Sequence, residues 1–271
     1  MIQSHPSCHR PGPSLLLRLV LAFVLAALML SGTAHAQGSA AGTVAASARG
    51  KPSTPPDARG RAVLQQANGY AGLKVLVSTE DRRLWLVNGR DTLMNVSVAV
   101  GMAKSFQFED RRFWFETPRG RRSVLRKEPN PKWNVPEWHY LERAAARQLA
   151  VVRLDRKDKH ELEDGSFILT IGDQVGRLNP FGHFWPFTPG LEIIFDGKVF
   201  IPPVGTAQRL VPEALGPYKL DTGDGYLIHG THIYNEDSVG QAVSHGCVRM
   251  TNDDLTRLYP LVPVGTPVFI F

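Results

Sequence analysis

One cysteine, three histidines and an arginine crowd into a single stretch of this 271-residue chain: His229, His232, His245, Cys247 and Arg249. A thiol attacks a carbonyl as the thiolate, so it needs a base or a positive charge beside it. Here both kinds of group stand within 18 residues of the cysteine. These three are a third of the nine histidines, and they follow no hydrophobic period, which argues against a packing role. Gly230 and Gly246 adjoin two of them. Glycine permits tight backbone geometry, and the amides around Gly246 and Cys247 could form an oxyanion hole. On a strand His245 and Cys247, at i and i+2, share a face, whereas His229 must come across from a neighbouring strand. Spacing alone leaves either His229 or His245 as the base.

Two other chemistries draw on the same residues. His229-x-x-His232 with His245-x-Cys247 offers zinc-type donors, yet the first pair has no recognised zinc spacing and no second cysteine supports it. Ser244 with His245 offers a serine nucleophile, but the Gly-x-Ser-x-Gly elbow is missing and Cys247 is left without a role. His232 reads as a loop histidine.

The cysteine count sharpens the choice. The chain has two, Cys8 and Cys247, and Cys8 falls in a segment that reads as a secretory signal peptide over residues 1–36. That segment has Arg10 ahead of an apolar run, interrupted at Arg18, and Thr33-Ala34-His35-Ala36 before the expected cleavage point. Its uninterrupted apolar stretch, 19–30, is shorter than the roughly 20 residues of a membrane span, so no stable span is expected after cleavage. Retention as an anchor through residues 15–30 is the other reading. Cleavage leaves a lone thiol in an oxidising compartment, where structural cysteines come in pairs. It also changes the formal charge from +6 to +4, which suits a polyanionic wall without naming a partner. No zinc-finger spacing or basic helix points to nucleic acid.

The elements that must position these groups are mostly strands. Residues 37–69 are rich in Ala, Gly, Ser, Thr and Pro and read as a flexible tether, with a short helix possible over 59–68. Strands are expected over 73–78, 83–89 with an Asn88-Gly89 turn, and 92–100. Residues 117–120 read as a turn, and 139–152 have helical composition. A long aromatic loop, 179–190, reads equally as a tucked surface loop or a cleft wall. Strands follow at 191–195, 198–201, 216–220 and 225–229. Thr251-Asn-Asp-Asp254 opens a helix that Pro260 ends, and 268–271 closes the chain as a strand. No internal repeat divides residues 70–271.

His229, fourteen residues, then Ser244-His245-Gly246-Cys247-Val248-Arg249 resembles the signature of the YkuD-type L,D-transpeptidases. The likeness extends to the strand-rich start at 73–101, the Thr117-Pro-Arg-Gly120 turn and Tyr226-Leu-Ile-His-Gly-Thr231. It implies a mostly β, sandwich-type catalytic domain over 70–271 with one or two helices. Beside the minimal form of that domain the chain is longer over about 139–200.

The resemblance further implies a peptidoglycan enzyme of the periplasm or cell envelope that needs no cofactor. Cys247 would attack a stem peptide at its L–D bond, form a thioester and expel D-alanine. His229 would be the base, oriented by a backbone carbonyl near Gly230, and His245 would support the site. Amides of Gly246 and Cys247 would hold the oxyanion. Arg249 would pair with a substrate carboxylate, with Ser244, Gly230 and Tyr226 around the same substrate. An amine on another stem or on a wall-linked protein would resolve the thioester. Water in its place would make a carboxypeptidase or endopeptidase, and a non-catalytic wall-binding module is the reading from another class.

Overall fold

The computed structural model describes residues 55–271, so the segment read as a signal peptide and most of the expected tether lie outside the described residues. Among the described residues no helix is long and apolar enough to cross a membrane. The end of the stretch read as tether is a docked helix, α1 (Ala58–Asn68), within one residue of the short helix read over 59–68. The Asp57 carboxylate caps it by accepting from the Gly60 amide at 2.8 Å. Val63 and Ala67, one turn apart, pack against Trp85, Phe269 and Phe271, which is what removes this stretch from the flexible regime.

Two sheets form the main core. The first runs in the order Asp91–Ser97, Arg83–Asn88, Leu73–Ser78, Pro267–Ile270, Gly120–Ser123. Its central pair is parallel, with Val75 opposite Val268 and Val77 opposite Ile270. The second runs Val248–Arg249, Leu227–His229, Tyr218–Asp221, Arg126–Pro129. Alternate residues of both turn inward: Val75, Val77, Leu84, Leu86, Val268 and Ile270 from one, Leu220, Ile228 and Val248 from the other. Fully burying such a side chain stabilises the fold by about 1.5–3 kcal/mol. A further helix, α3 (Asn252–Leu261), adds Leu255 and Leu258 to the same core. The molecule is mostly β, with three α-helices among the described residues, the remaining one being α2 (Glu137–Arg147).

The stretch from α2 onward builds two small cores of its own. Helix α2 packs Tyr140, Leu141 and Ala144 against Val199 and Ile201. It is shorter than the helix expected over 139–152, because Gln148 turns left-handed (φ 56°). Ala150–Arg153 then pairs in parallel with Lys198–Ile201. Four antiparallel strands follow, and Phe184–Pro186 from the aromatic segment is the last of them, so part of 179–190 is strand rather than loop. A hairpin, Lys104–Phe108 with Arg111–Phe115, was not anticipated from the sequence.

Candidate active site

The motif is a turn clamped at both ends. Before it, Ala242–Ser244 pairs in parallel with Val100–Gly101, and the Met102 amide donates to Ser244 O. After it, Val248–Arg249 lies parallel to Leu227–His229, with Ile228 opposite Val248 and His229 opposite Arg249. On its other side Arg249 exchanges both backbone hydrogen bonds with Ala99. Ile228 and Val248 face the core, so His229 and Arg249 occupy the opposite face, on strands spaced about 4.8 Å apart. Continuing that register by one residue puts Cys247 beside Leu227 on the face of the histidine. The half-buried Sγ lies 3.9 Å from Gly225 O, and the Leu227 backbone favours its thiolate.

His229 is buried, and its Nδ1 lies 2.5 Å from Gly230 O. A carbonyl only accepts, so Nδ1 carries the proton and Nε2 keeps its lone pair. Burial lowers the His229 pKa to about 4, Arg249 and Lys219 add to the fall, and the Gly230 carbonyl opposes it. The ring is therefore uncharged at neutral pH, with Nε2 as its acceptor. Burial likewise pushes the Cys247 thiol up, with Leu227 and Arg249 pulling the other way and Asp221 adding to the rise. The thiol thus keeps its proton until a base removes it. Arg249 is half-buried and makes no ion pair among the described residues; burial lowers its pKa and Cys247 raises it.

Ser244 and Gly230, expected around the substrate, both make contacts within the scaffold. Ser244 is buried, donates to Cys247 O at 2.6 Å and accepts from the Gly246 amide at 3.1 Å. That hydroxyl fixes the turn, and it also occupies the Gly246 N–H expected for an oxyanion hole. The Cys247 amide enters no hydrogen bond among the described residues and is the donor left for that role. Gly230 is buried, and a Cβ there would meet Asn252 Oδ1 at 2.2 Å. Asn252 itself accepts from the Thr231 amide at 3.0 Å and donates to Thr231 O at 2.9 Å. Gly246 has φ +129°, and a Cβ would lie 2.7 Å from Tyr226 Cε1 and 3.1 Å from Glu116 O. Tyr226 is half-buried under the Arg122 guanidinium, 4.8 Å from its ring centre, and forms a wall beside Gly246.

His245 sits apart from the core, stacked on Trp138 with ring centres 4.0 Å apart and edge-on to Phe115 at 4.4 Å. Its Nε2 lies 2.9 Å from Glu142 Oε2. His232 caps the 3-10 turn Ile233–Ser238, its Nδ1 accepting from the Tyr234 amide at 3.4 Å. It stands outside the cysteine constellation, as expected of a loop histidine. Sequence reasoning missed Asn252, Trp138, Phe115 and Glu142. Asn252 was visible only as part of a helix cap, and the other three belong to no motif.

A model of the L,D-transpeptidase catalytic domain matches residues 73–270. A probable L,D-transpeptidase of Salmonella typhimurium, ErfK/SrfK, is 33% identical over 118 residues, 38% of this chain and 36% of that protein. A probable L,D-transpeptidase of Escherichia coli, YbiS, is 48% identical over 54 residues, 20% of this chain and 17% of that protein. The chain thus spans about a third of the first relative's length and less of the second's. Among solved structures, an L,D-transpeptidase from Xylanimonas cellulosilytica superposes with a TM-score of 0.40 at 15% identity, over 78% of this chain and 68% of that one.

Proposed function

We propose, from the premise that this chain belongs to the L,D-transpeptidase catalytic-domain family, that it is a cysteine acyltransferase of peptidoglycan stem peptides. One observation carries the reading: the Nδ1-anchored His229, its Nε2 unprotonated, stands on the same sheet face as Cys247 and Arg249. His229 Nε2 takes the thiol proton as Sγ bonds to the stem carbonyl carbon at an L–D linkage. Negative charge collects on the carbonyl oxygen, where the Cys247 amide can donate. The C–N bond then breaks, the leaving D-alanine nitrogen takes the proton from His229, and a thioester remains. An incoming amine attacks that thioester and gives a proton back to His229, and the thiol is restored as the new amide leaves. No cofactor takes part. Arg249 offers a two-pronged donor to a stem carboxylate.

The acceptor is an amine of a second stem or of a wall-linked protein, and the enzyme works at the cell envelope after export. Resolution of the thioester by water, giving an L,D-carboxypeptidase or endopeptidase, uses the same groups; water exclusion and amine placement decide between the two.

The test is intact-mass spectrometry of the protein mixed with a carbapenem, whose strained lactam a thiolate opens to a stable ester-like adduct. An adduct on the native chain and none on Cys247→Ala is the expected result. A folded native chain that stays unmodified would remove the nucleophile and with it the acyltransferase reading.

A further inference from the structure

The His245 ring is held on three sides by groups outside its own turn. Trp138 sets its plane by stacking, with 17° between the rings, and Phe115 meets it edge-on at 75°. Glu142, one helical turn beyond Trp138 on α2, reaches Nε2 at 2.9 Å. The side chains at i and i+4 of a helix lie on one face, so α2 presents the indole and the carboxylate to the imidazole together. A carboxylate oxygen accepts, which requires the proton on Nε2 and leaves Nδ1 bare.

We propose that Glu142 is a positioning residue of this site, holding His245 as the Nε2–H tautomer so that Nδ1 is the nitrogen left with a lone pair. The titratable groups around the ring are Glu142 and His139 from α2 and Arg249 from the adjoining strand; the hairpin contributes the Phe115 ring. The two motif histidines then carry opposite tautomers. His229 is protonated on Nδ1 and bare on Nε2, while His245 is protonated on Nε2 and bare on Nδ1. One bare nitrogen serves the thiol proton, and the other can hold an N–H of the incoming amine. This consequence rests on the acyl-transfer reading, whereas the tautomer assignment does not. It also makes α2, which opens the stretch lengthened beside the minimal domain, a part of the catalytic apparatus.

The experiment is long-range 1H–15N correlation of the histidine rings at neutral pH, in the native chain, Glu142→Gln and Glu142→Leu, beside amine transfer onto a stem tetrapeptide. The native His245 is expected as Nε2–H, and Gln, whose amide oxygen still accepts, should preserve that tautomer. Leu should release it to a mixture and slow transfer about 10–100-fold, by analogy with the loss seen when the outer partner of a metal-ligating imidazole is removed. A native ring protonated on Nδ1, or a Leu variant that keeps the native tautomer or the native transfer rate, overturns the proposal. Native tautomers as expected in a chain that transfers nothing would instead count against the acyltransferase reading alone.

Discussion

Gly246 shows how tightly single residues constrain this site. Its φ of +129° strains a residue with a side chain, and Tyr226 and the Glu116 carbonyl occupy the space a methyl would need. Gly246→Ala should cost about 1–3 kcal/mol in urea unfolding, and it should slow Cys247 alkylation by displacing the turn. Unchanged stability would mean the loop relaxes freely. At this scale the sequence was most readable, because bringing His229 and Cys247 onto one sheet face depends on fixed spacing and on the glycines between them. The scaffold contacts of Ser244 and Gly230 were less so. Type and spacing do not reveal that a hydroxyl is spent on the Gly246 amide and Cys247 carbonyl, or that Asn252 fills the space above Gly230. Glu142 was invisible for a plainer reason. It is one acid on an amphipathic helix, and only the approach of α2 to the motif, over a separation of 103 residues, gives it a partner.

Among the elements, α3 does two jobs. Thr251 caps it by accepting from the Asp254 amide at 3.2 Å, and the next residue, Asn252, clamps both backbone groups of Thr231 behind the Gly230 carbonyl that orients His229. Asn252→Ala should therefore cost about 1–3 kcal/mol for the Thr231 groups left unpaired. Alkylation of Cys247 should slow with it as the His229 anchor loosens. A loss of stability without that slowing would confine Asn252 to the cap region. The start of α3 was legible from sequence because the Thr251 side chain closes it, whereas α1 was read only as a possible helix and its Asp57 cap was not picked out. Helix α2 was read too long, since nothing in Gln148 announces a left-handed residue and Leu149–Val152 are as apolar as a helix face. The Phe184–Pro186 strand was hidden among prolines and aromatic residues, and its pairing partner supplies the structure that its own sequence does not.

Across the whole molecule, His229 and His139 both have pKa values lowered to about 4, in each case chiefly by burial. Unfolded histidine titrates near 6.5. Between about pH 6.5 and 4 the unfolded chain therefore binds protons that the folded chain refuses, so stability falls as pH falls through that window. With both groups in play the slope reaches about 2.7 kcal/mol per pH unit. Urea unfolding at pH 7, 5.5 and 4.5 measures it; His139→Gln should shrink the slope, and a flat profile would mean these rings are not refused their protons.

The pairing of Leu73–Ser78 with Pro267–Ile270 bears on how the chain is made. The strand that begins the first sheet stays unpaired on one side until residues about 190 positions later have been synthesised. Loop closure over that distance is slow, and local hairpins cannot substitute for it. A growing chain will hold an open, apolar strand edge for most of its synthesis, the kind of surface that chaperones shield and that self-association exploits. Folding of that sheet is thereby postponed until nearly the whole chain has been made.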